Sequence, residues 1–465
     1  MDNILNIVVT INTYLSDYVL IVLLIGVGLY YSFKTKFVQV RCFGESIKQV
    51  FGNFSLHGKK HESGLSSFQA LSTAIAAQVG TGNIVGASGA ILTGGPGAIF
   101  WMYVIAFFGM STIYAEAVLA QKTRVVHEDG SIHGGPVYYI TRAFKGSLGK
   151  FLAGFFGIAI IIALGFTGCM VQSNSIAATC STAFNISPWI IGIIISAISG
   201  FVFLGGIMRV GRVAEKIVPL MALLYIIGAI CILIARAKYL PETIGMIFKY
   251  AFAPESIIGG SFGTAIKIAL SQGAKRGLFS NEAGMGSTPH AHAQAHVKCP
   301  HEQGLSAMFG VFVDTFIVIT MTALVVISVL YAGNGVLASG SAEGVNKTNM
   351  VQLAYNTVFG GNGGSIFIAI CLFFFAFSTI LSWNFFGRIN AIYLFGKKAV
   401  PIYSLISVLF ILAGSLVSND LVWELSDMFN QLMVLPNAMA LLALGGIVTR
   451  VAIGKDKEPA PGTKL

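Results

Sequence analysis

A chain of 465 residues in which 55% of side chains are hydrophobic and only 10% charged has too little polar surface to coat a water-soluble globule of its size, so its solvent is lipid. The formal charge of +10 would suggest a nucleic-acid partner in a soluble protein, but here the distribution of basic residues assigns it to membrane topology. Apolar stretches such as Tyr18–Tyr31, Phe151–Leu164, Ile217–Ala235 and Ser306–Tyr331 recur along the chain, and the longer ones reach the roughly 20 residues that cross hydrocarbon. No run of short alternating strands is visible, which leaves bundled helices: an all-α polytopic membrane protein.

Met1–Thr13 carries neither a basic leader nor a small-residue cleavage site, so the first apolar segment reads as a retained span. About eleven spans follow from apolar runs bounded by turn or charge clusters, centred near Ile25, Gly80, Ile105, Gly165, Ile194, Leu224, Gly273, Ile319, Phe375, Phe410 and Leu435. Of the 29 lysines and arginines, 22 fall in one set of alternate segments (34–64, 122–150, 207–216, 296–304, 388–398 and the tail after 449), against four in 236–258 and 332–363. That asymmetry predicts an inner (plasma) membrane protein with its N-terminus outside and its C-terminus in the cytoplasm. The six cysteines are scattered without CxxC spacing and read as buried thiols.

Two spans differ from the rest. The second, Gly64–Gly95, is interrupted by Gly80-Thr81-Gly82-Asn83, and the seventh by the stretch from Gly277 to Gly286. Clustered glycine with Asn and Ser favours local unwinding at membrane depth. The interruptions lie five spans apart, the spacing expected of two five-helix repeats of opposite topology. The predicted organisation is a peripheral span and linker (1–64), repeats over 65–235 and 239–450, and a tail from 451 to 465.

An unwound segment exposes carbonyls where one half-helix ends and N–H groups where the next begins. The N–H groups of Gly82 and Asn83 suit a carboxylate, and the carbonyls of Ala76 and Val79 suit part of a sodium shell. A plain packing kink is the competing reading. In the ninth span, Ser378 and Thr379 add neutral hydroxyls, an all-oxygen set suited to a monovalent cation, and Trp383 stands one turn on as a pocket wall. Glu116, Glu282 and Asp314 are ionisable residues at depth, where a functional role competes with pairing such as Glu282 to Arg276. Asp314 could reach a cation near the breaks, and Gln172 and Asn174 could bond an amino acid or join helices. His290, His292, His296 and His301, with Cys299, lack zinc-site spacing and read as a solvated loop.

Gly80-Thr81-Gly82-Asn83 followed by Gly94-Gly95-Pro96-Gly97-Ala98-Ile99-Phe100-Trp101, and Lys275-Arg276-Gly277 through Phe279-Ser280-Asn281-Glu282-Ala283-Gly284-Met285-Gly286-Ser287, resemble the two hallmarks of the alanine or glycine:cation symporters. Tyr103 stands where that family usually has a second tryptophan. The resemblance implies a LeuT-like fold of ten core helices in a 5+5 inverted repeat after an extra N-terminal helix. It further implies a substrate pocket lined by Thr81, Gly82, Gln172, Gly277, Phe279, Ser280, Asn281 and Trp383. Ala76, Val79, Phe375, Ser378 and Thr379 would hold the coupling Na+, the first three through backbone carbonyls, and Asn83 and Asp314 are candidates for a second cation site. The implied function is uptake of a small neutral amino acid such as alanine or glycine with sodium by alternating access. The alternatives are a glutamine-preferring or proton-coupled carrier, or an ion channel. No triad, metal set or phosphate loop points to an enzyme.

Overall fold

Ser66 starts the first broken span with a capping box. Its hydroxyl accepts the Gln69 N–H at 3.1 Å, and the Gln69 side chain accepts the Ser66 N–H at 3.2 Å. In the computed structural model this cap opens one of thirteen helices that organise the chain, which is described over residues 2–52, 65–128, 130–253, 261–340, 343–417 and 419–462. The linker boundary at residue 64 lies outside the described residues.

The helices are α1 (Leu5–Lys34), α2 (Phe43–Gly52), α3 (Ser67–Gln78), α4 (Gly82–Gly94), α5 (Ala98–Thr123), α6 (Gly146–Phe184), α7 (Pro188–Phe203), α8 (Gly206–Ala235), α9 (Phe262–Asn281), α10 (Pro300–Leu330), α11 (Gly363–Phe395), α12 (Val400–Gly414) and α13 (Asp420–Ala443). Among the described residues, seven helices are long and apolar enough to cross a membrane, and nine spans result if each of two bent pairs counts as one. The eleven predicted centres all fall on helices except Gly80, which falls on a bend. Two of those helices fall short of the same test: α7 is short, and α9 carries Lys267, Lys275 and Arg276. This is a multi-pass membrane protein.

Burial sorts the helices into layers. Large apolar side chains of α7, α8 and α12, among them Ile193, Leu220 and Leu405, are exposed, as lipid contact requires. By contrast Ala70 through Gln78 of α3 are buried throughout, against α8 and α11. α9 packs on α4 and α5, so the two interrupted spans run side by side through the protein interior. Leu65–Ser66, just before α3, pairs in parallel with Ala295–His296, beyond the end of α9. The start of the first interrupted span is thereby tied to the segment that follows the second, on the face that carries the basic loops.

Candidate functional site

The first break is where the sequence places it. Val79 leaves the helical region (φ −84°, ψ 89°), and the axis turns by 42° between α3 and α4. The Gly80 N–H turns to the side chain of Asn83 (2.9 Å) and the Thr81 N–H to Gln172 Oε1 of α6 (3.1 Å). A Cβ on Gly80 would overlap Thr379 Oγ1, and one on Gly82 would lie 3.0 Å from Ser280 Cα and 3.2 Å from the Phe279 ring. Glycine at 80 and 82 therefore lets α11 and α9 approach the bare backbone of the break. Thr81 Oγ1 and Gln172 Nε2 are buried without a protein partner, two polar atoms beside the break that a small polar ligand would satisfy.

The residues expected to hold sodium converge beside Gly80. Thr379 Oγ1 lies 2.8 Å from the Ala76 carbonyl and 3.0 Å from that of Phe375, which also accepts from Ser378 Oγ at 2.9 Å. Two carbonyls and two hydroxyls from α3 and α11 thus share one buried spot, and Val79 ends the α3 ladder beside it. A hydroxyl that rotates its proton away offers a lone pair, so this set can become an all-oxygen shell of low fixed charge.

Asp314 links the first break to α9. It sits in a π-helical turn, Phe312–Ile319, within α10. Its Oδ1 accepts from Asn83 Nδ2 (2.6 Å) and Ser280 Oγ (2.9 Å), and its Oδ2 from Thr315 Oγ1 (2.8 Å). Similar π turns occupy Gly82–Gly86, in the first break, and Ile161–Gly168, whose Gly168 lies against Trp383, a placement that local apolar patterning does not reveal.

The second break occupies only the latter half of the stretch expected for it. Residues 277–281 remain helical, and the ladder ends only at Glu282, whose left-handed backbone (φ 58°) is followed by Gly284 (φ 91°) and Gly286 (φ 82°). One glycine at 277 does not unwind a helix flanked by good helix formers, whereas three left-handed residues in five do. Phe279 and Ser280 consequently face the first break from a helical turn. Gly277 faces α5 instead, against Ile105 and Met102, and the Asn281 side chain turns to Thr315 (3.4 Å).

Glu282 does not pair with Arg276. It accepts the Trp383 indole N–H at 2.5 Å and the Ser287 hydroxyl, while Arg276 binds Asp427 of α13 at 3.1 Å. Glu116 accepts the Gly284 N–H (3.2 Å) and Asn437 Nδ2 (2.6 Å), steadying the unwound backbone. Among the described residues, Glu116, Glu282 and Asp314 are thus fully buried and held by neutral donors. The sequence reading missed Trp423, whose ring lies 4.8 Å from Phe279 and beneath Arg276. Phe279 stands between Trp423 and Trp383, at 5.5 Å from the latter, which leaves little room beside the break. A cavity of about 660 Å³ opens at the Gly94 end of α4, bordered by Gly89, Asn174, Lys347 and Asp420; Asn174 itself bonds carbonyls of Gly414 and Val417.

The histidine segment is not a solvated loop. His290 lies between the Ser287 carbonyl (2.7 Å) and Asn390 (2.8 Å), and His292 Nδ1 meets Gln303 at 2.7 Å, both rings fully buried. The parallel pairing with Leu65 folds the segment inward, which local composition does not show. Tyr103, the departure from the family pattern, stacks on Phe316 and bonds Thr320 (2.9 Å), a packing role.

Comparison with known proteins identifies the family. Residues 1–457 match the family model described as the sodium:alanine symporter family. The chain is 38% identical over 440 residues to the sodium/alanine symporter AgcS of Methanococcus maripaludis, covering 94% of each chain. It is 41% identical over 449 residues to the putative sodium/proton-dependent alanine carrier protein YrbD of Bacillus subtilis, covering 94% of this chain and 89% of that one. Against the probable sodium/glutamine symporter GlnT of the same organism, identity is 36% over 439 residues, covering 94% and 87%. The crystal structure of MhsT in complex with L-phenylalanine superposes with a TM-score of 0.58 at 16% identity, covering 85% of this chain and 99% of that one, which establishes the LeuT-like fold. The chain belongs to the sodium:alanine symporter family, whose members are transporters rather than enzymes.

Proposed function

We propose that the protein couples sodium entry to uptake of a small neutral amino acid, alanine or glycine, across a prokaryotic plasma membrane. The observation that carries this reading is the pairing of the Gly80–Asn83 break with the Ser378–Thr379 hydroxyls. The amino-acid carboxylate meets the positive end of α4 at the Gly82 backbone N–H, with the unpartnered Thr81 hydroxyl and Gln172 Nε2 alongside. Sodium takes the carbonyls of Ala76, Val79 and Phe375 with the two hydroxyls, in contact with the same turn. Binding of one therefore shapes the break for the other. The aromatic wall of Phe279, Trp383 and Trp423 favours a short side chain.

Alternating access in this reading means that the tie between Leu65 and Ala295 opens as the cavity at the Gly94 end closes. The basic loops support a cytoplasmic tied end and an external N-terminus. One helix bundle rocks against the other, and the repeats over 65–235 and 239–450 each contribute one interrupted span to the site. Asn83 and Asp314 form the second cation-responsive point, and a proton or a second sodium at Asp314 is the reading to separate from the first site. The relatives named for glutamine and for sodium/proton dependence make substrate and ion the first questions. Uptake of radiolabelled alanine, glycine and glutamine into proteoliposomes, with and without an inward sodium gradient, is the test. Gradient-driven accumulation of alanine or glycine is expected, and equal uptake under both conditions would exclude sodium coupling.

A further inference from the structure

On the face that carries the basic loops, away from the transport pocket, three chemically different metal-binding groups meet. Cys42 precedes α2, Glu45 lies in its first turn, and His301 lies in the first turn of α10, more than 250 residues later. Their ligand atoms, one per residue, all lie within 4.8 Å of one another, with His301 Nε2 3.7 Å from Glu45 Oε1. The other ring nitrogen, Nδ1, is engaged by the Tyr114 hydroxyl at 2.6 Å. That bond orients the imidazole and turns Nε2 toward the thiol and the carboxylate, the arrangement in which histidine binds metals. Arg41, the adjacent cation, directs its guanidinium to the carbonyls of Thr35 (3.3 Å) and Ala452 (2.8 Å).

The cluster also has a fixed frame. Ser46 of α2 bonds the Leu305 carbonyl at 2.8 Å, and Phe43 and Phe51 pack edge-on against Phe312 and Phe309 of α10. The ligands therefore face one another before any ion arrives, so binding orders little additional chain. Cys42 is nearly inaccessible (3%), whereas Glu45 is exposed, which leaves one side of the cluster open to water.

We propose that Cys42, Glu45 and His301 form a binding site for a divalent metal ion of the zinc class, with the fourth position open to water. One sulfur, one imidazole nitrogen and one carboxylate oxygen suit zinc, and three protein ligands with an open position describe an exchangeable site rather than a closed structural one. Binding replaces the Cys42 thiol proton with the metal, and the proton passes to solvent. The occupied site clips α2 to the first turn of α10, so zinc restrains any motion of one against the other.

The test uses the full-length, untagged protein, stripped with a chelator and titrated with zinc against a competing chromophoric chelator, then with cobalt as a spectroscopic substitute. The wild type should bind one zinc that the Cys42→Ser/His301→Gln double variant does not. Cobalt should give a thiolate-to-metal charge-transfer band that Cys42→Ser abolishes. Tyr114→Phe, which removes only the bond orienting the imidazole, should weaken zinc binding about tenfold or more. Glu45→Gln, at an exposed position where folding is not at stake, should weaken it as well. Equal zinc stoichiometry and affinity in the wild type and the double variant, or a cobalt spectrum without the thiolate band, would overturn the assignment.

Discussion

Asn83 Nδ2 lies 2.6 Å from Asp314 Oδ1, while Asn83 Oδ1 receives the N–H of Gly80 at 2.9 Å. One side chain thus fixes the shape of the first break and connects it to the Asp314 carboxylate, which also accepts from Ser280 of α9. Replacing Asn83 with alanine removes a donor from a buried acid and an acceptor from an unwound backbone. An unsatisfied buried group costs about 1–3 kcal/mol, so Asn83→Ala should lower thermal stability and sharply reduce uptake. Asp314→Asn keeps a hydrogen-bonding side chain of the same shape; it should fold, and its uptake should lose dependence on whichever cation Asp314 holds. Scanning calorimetry and uptake at varied sodium and pH check both.

The proposed sites predict different effects at the two glycines of the break. Gly80→Ala pushes on Thr379 Oγ1, so its main effect should be a higher sodium concentration for half-maximal uptake. Gly82→Ala presses on Ser280 and Phe279 and should instead raise the KM for the amino acid or abolish uptake. Sodium and substrate titrations of the two variants should therefore move different parameters.

These glycine positions were legible in the sequence because glycine is costly inside a helix and needs a reason at membrane depth. Ser378 and Thr379 were legible as adjacent hydroxyls in an apolar span. The bond from Trp383 to Glu282 was not, since Arg276 is the nearer cation in sequence and only the fold sends it to Asp427. Gly277 misled for a related reason: composition marks where a helix can break, but the left-handed residues from Glu282 onward mark where it does. The union of Cys42 with His301 and the inward turn of His290 depend on contacts across distant segments, which spacing along the chain cannot encode.

Trp383→Phe keeps the wall of the pocket and removes the N–H that Glu282 accepts at 2.5 Å. Leaving that buried acid with one donor fewer should cost about 1–3 kcal/mol. Because Gly168 approaches the Trp383 ring within about 2.6 Å of where a Cβ would stand, Gly168→Ala should also disturb the wall. Loss of stability in Trp383→Phe without loss of amino-acid affinity would show that the indole supports Glu282 rather than the substrate.

The tail carries a pH-dependent clasp. Lys122 binds Asp456 at 2.7 Å, and Arg124 Nε binds the Pro461 carbonyl at 2.9 Å. Burial works against the Asp456 charge, but the Lys122 bond, the Glu458 N–H and the charges of Lys122 and Arg450 outweigh it and hold the carboxyl below its usual range. A depressed folded-state value means that the contribution is complete above the ordinary carboxylate pKa and is lost as pH falls through the lowered one. A nitroxide attached at residue 459 should stay immobile from neutral pH down to about pH 5 and gain mobility only in stronger acid. Lys122→Ala should give the mobile spectrum at every pH.

In the proposed mechanism the Ser378 and Thr379 hydroxyls, set against the first break, hold the ion that enables amino-acid binding. The most direct measurement is alanine binding to the purified Ser378→Ala/Thr379→Ala variant across a sodium titration, beside the wild type. The half-maximal sodium concentration should rise at least about tenfold, the equivalent of one lost charge-assisted oxygen contact. Superimposable sodium curves for the two proteins would contradict the account.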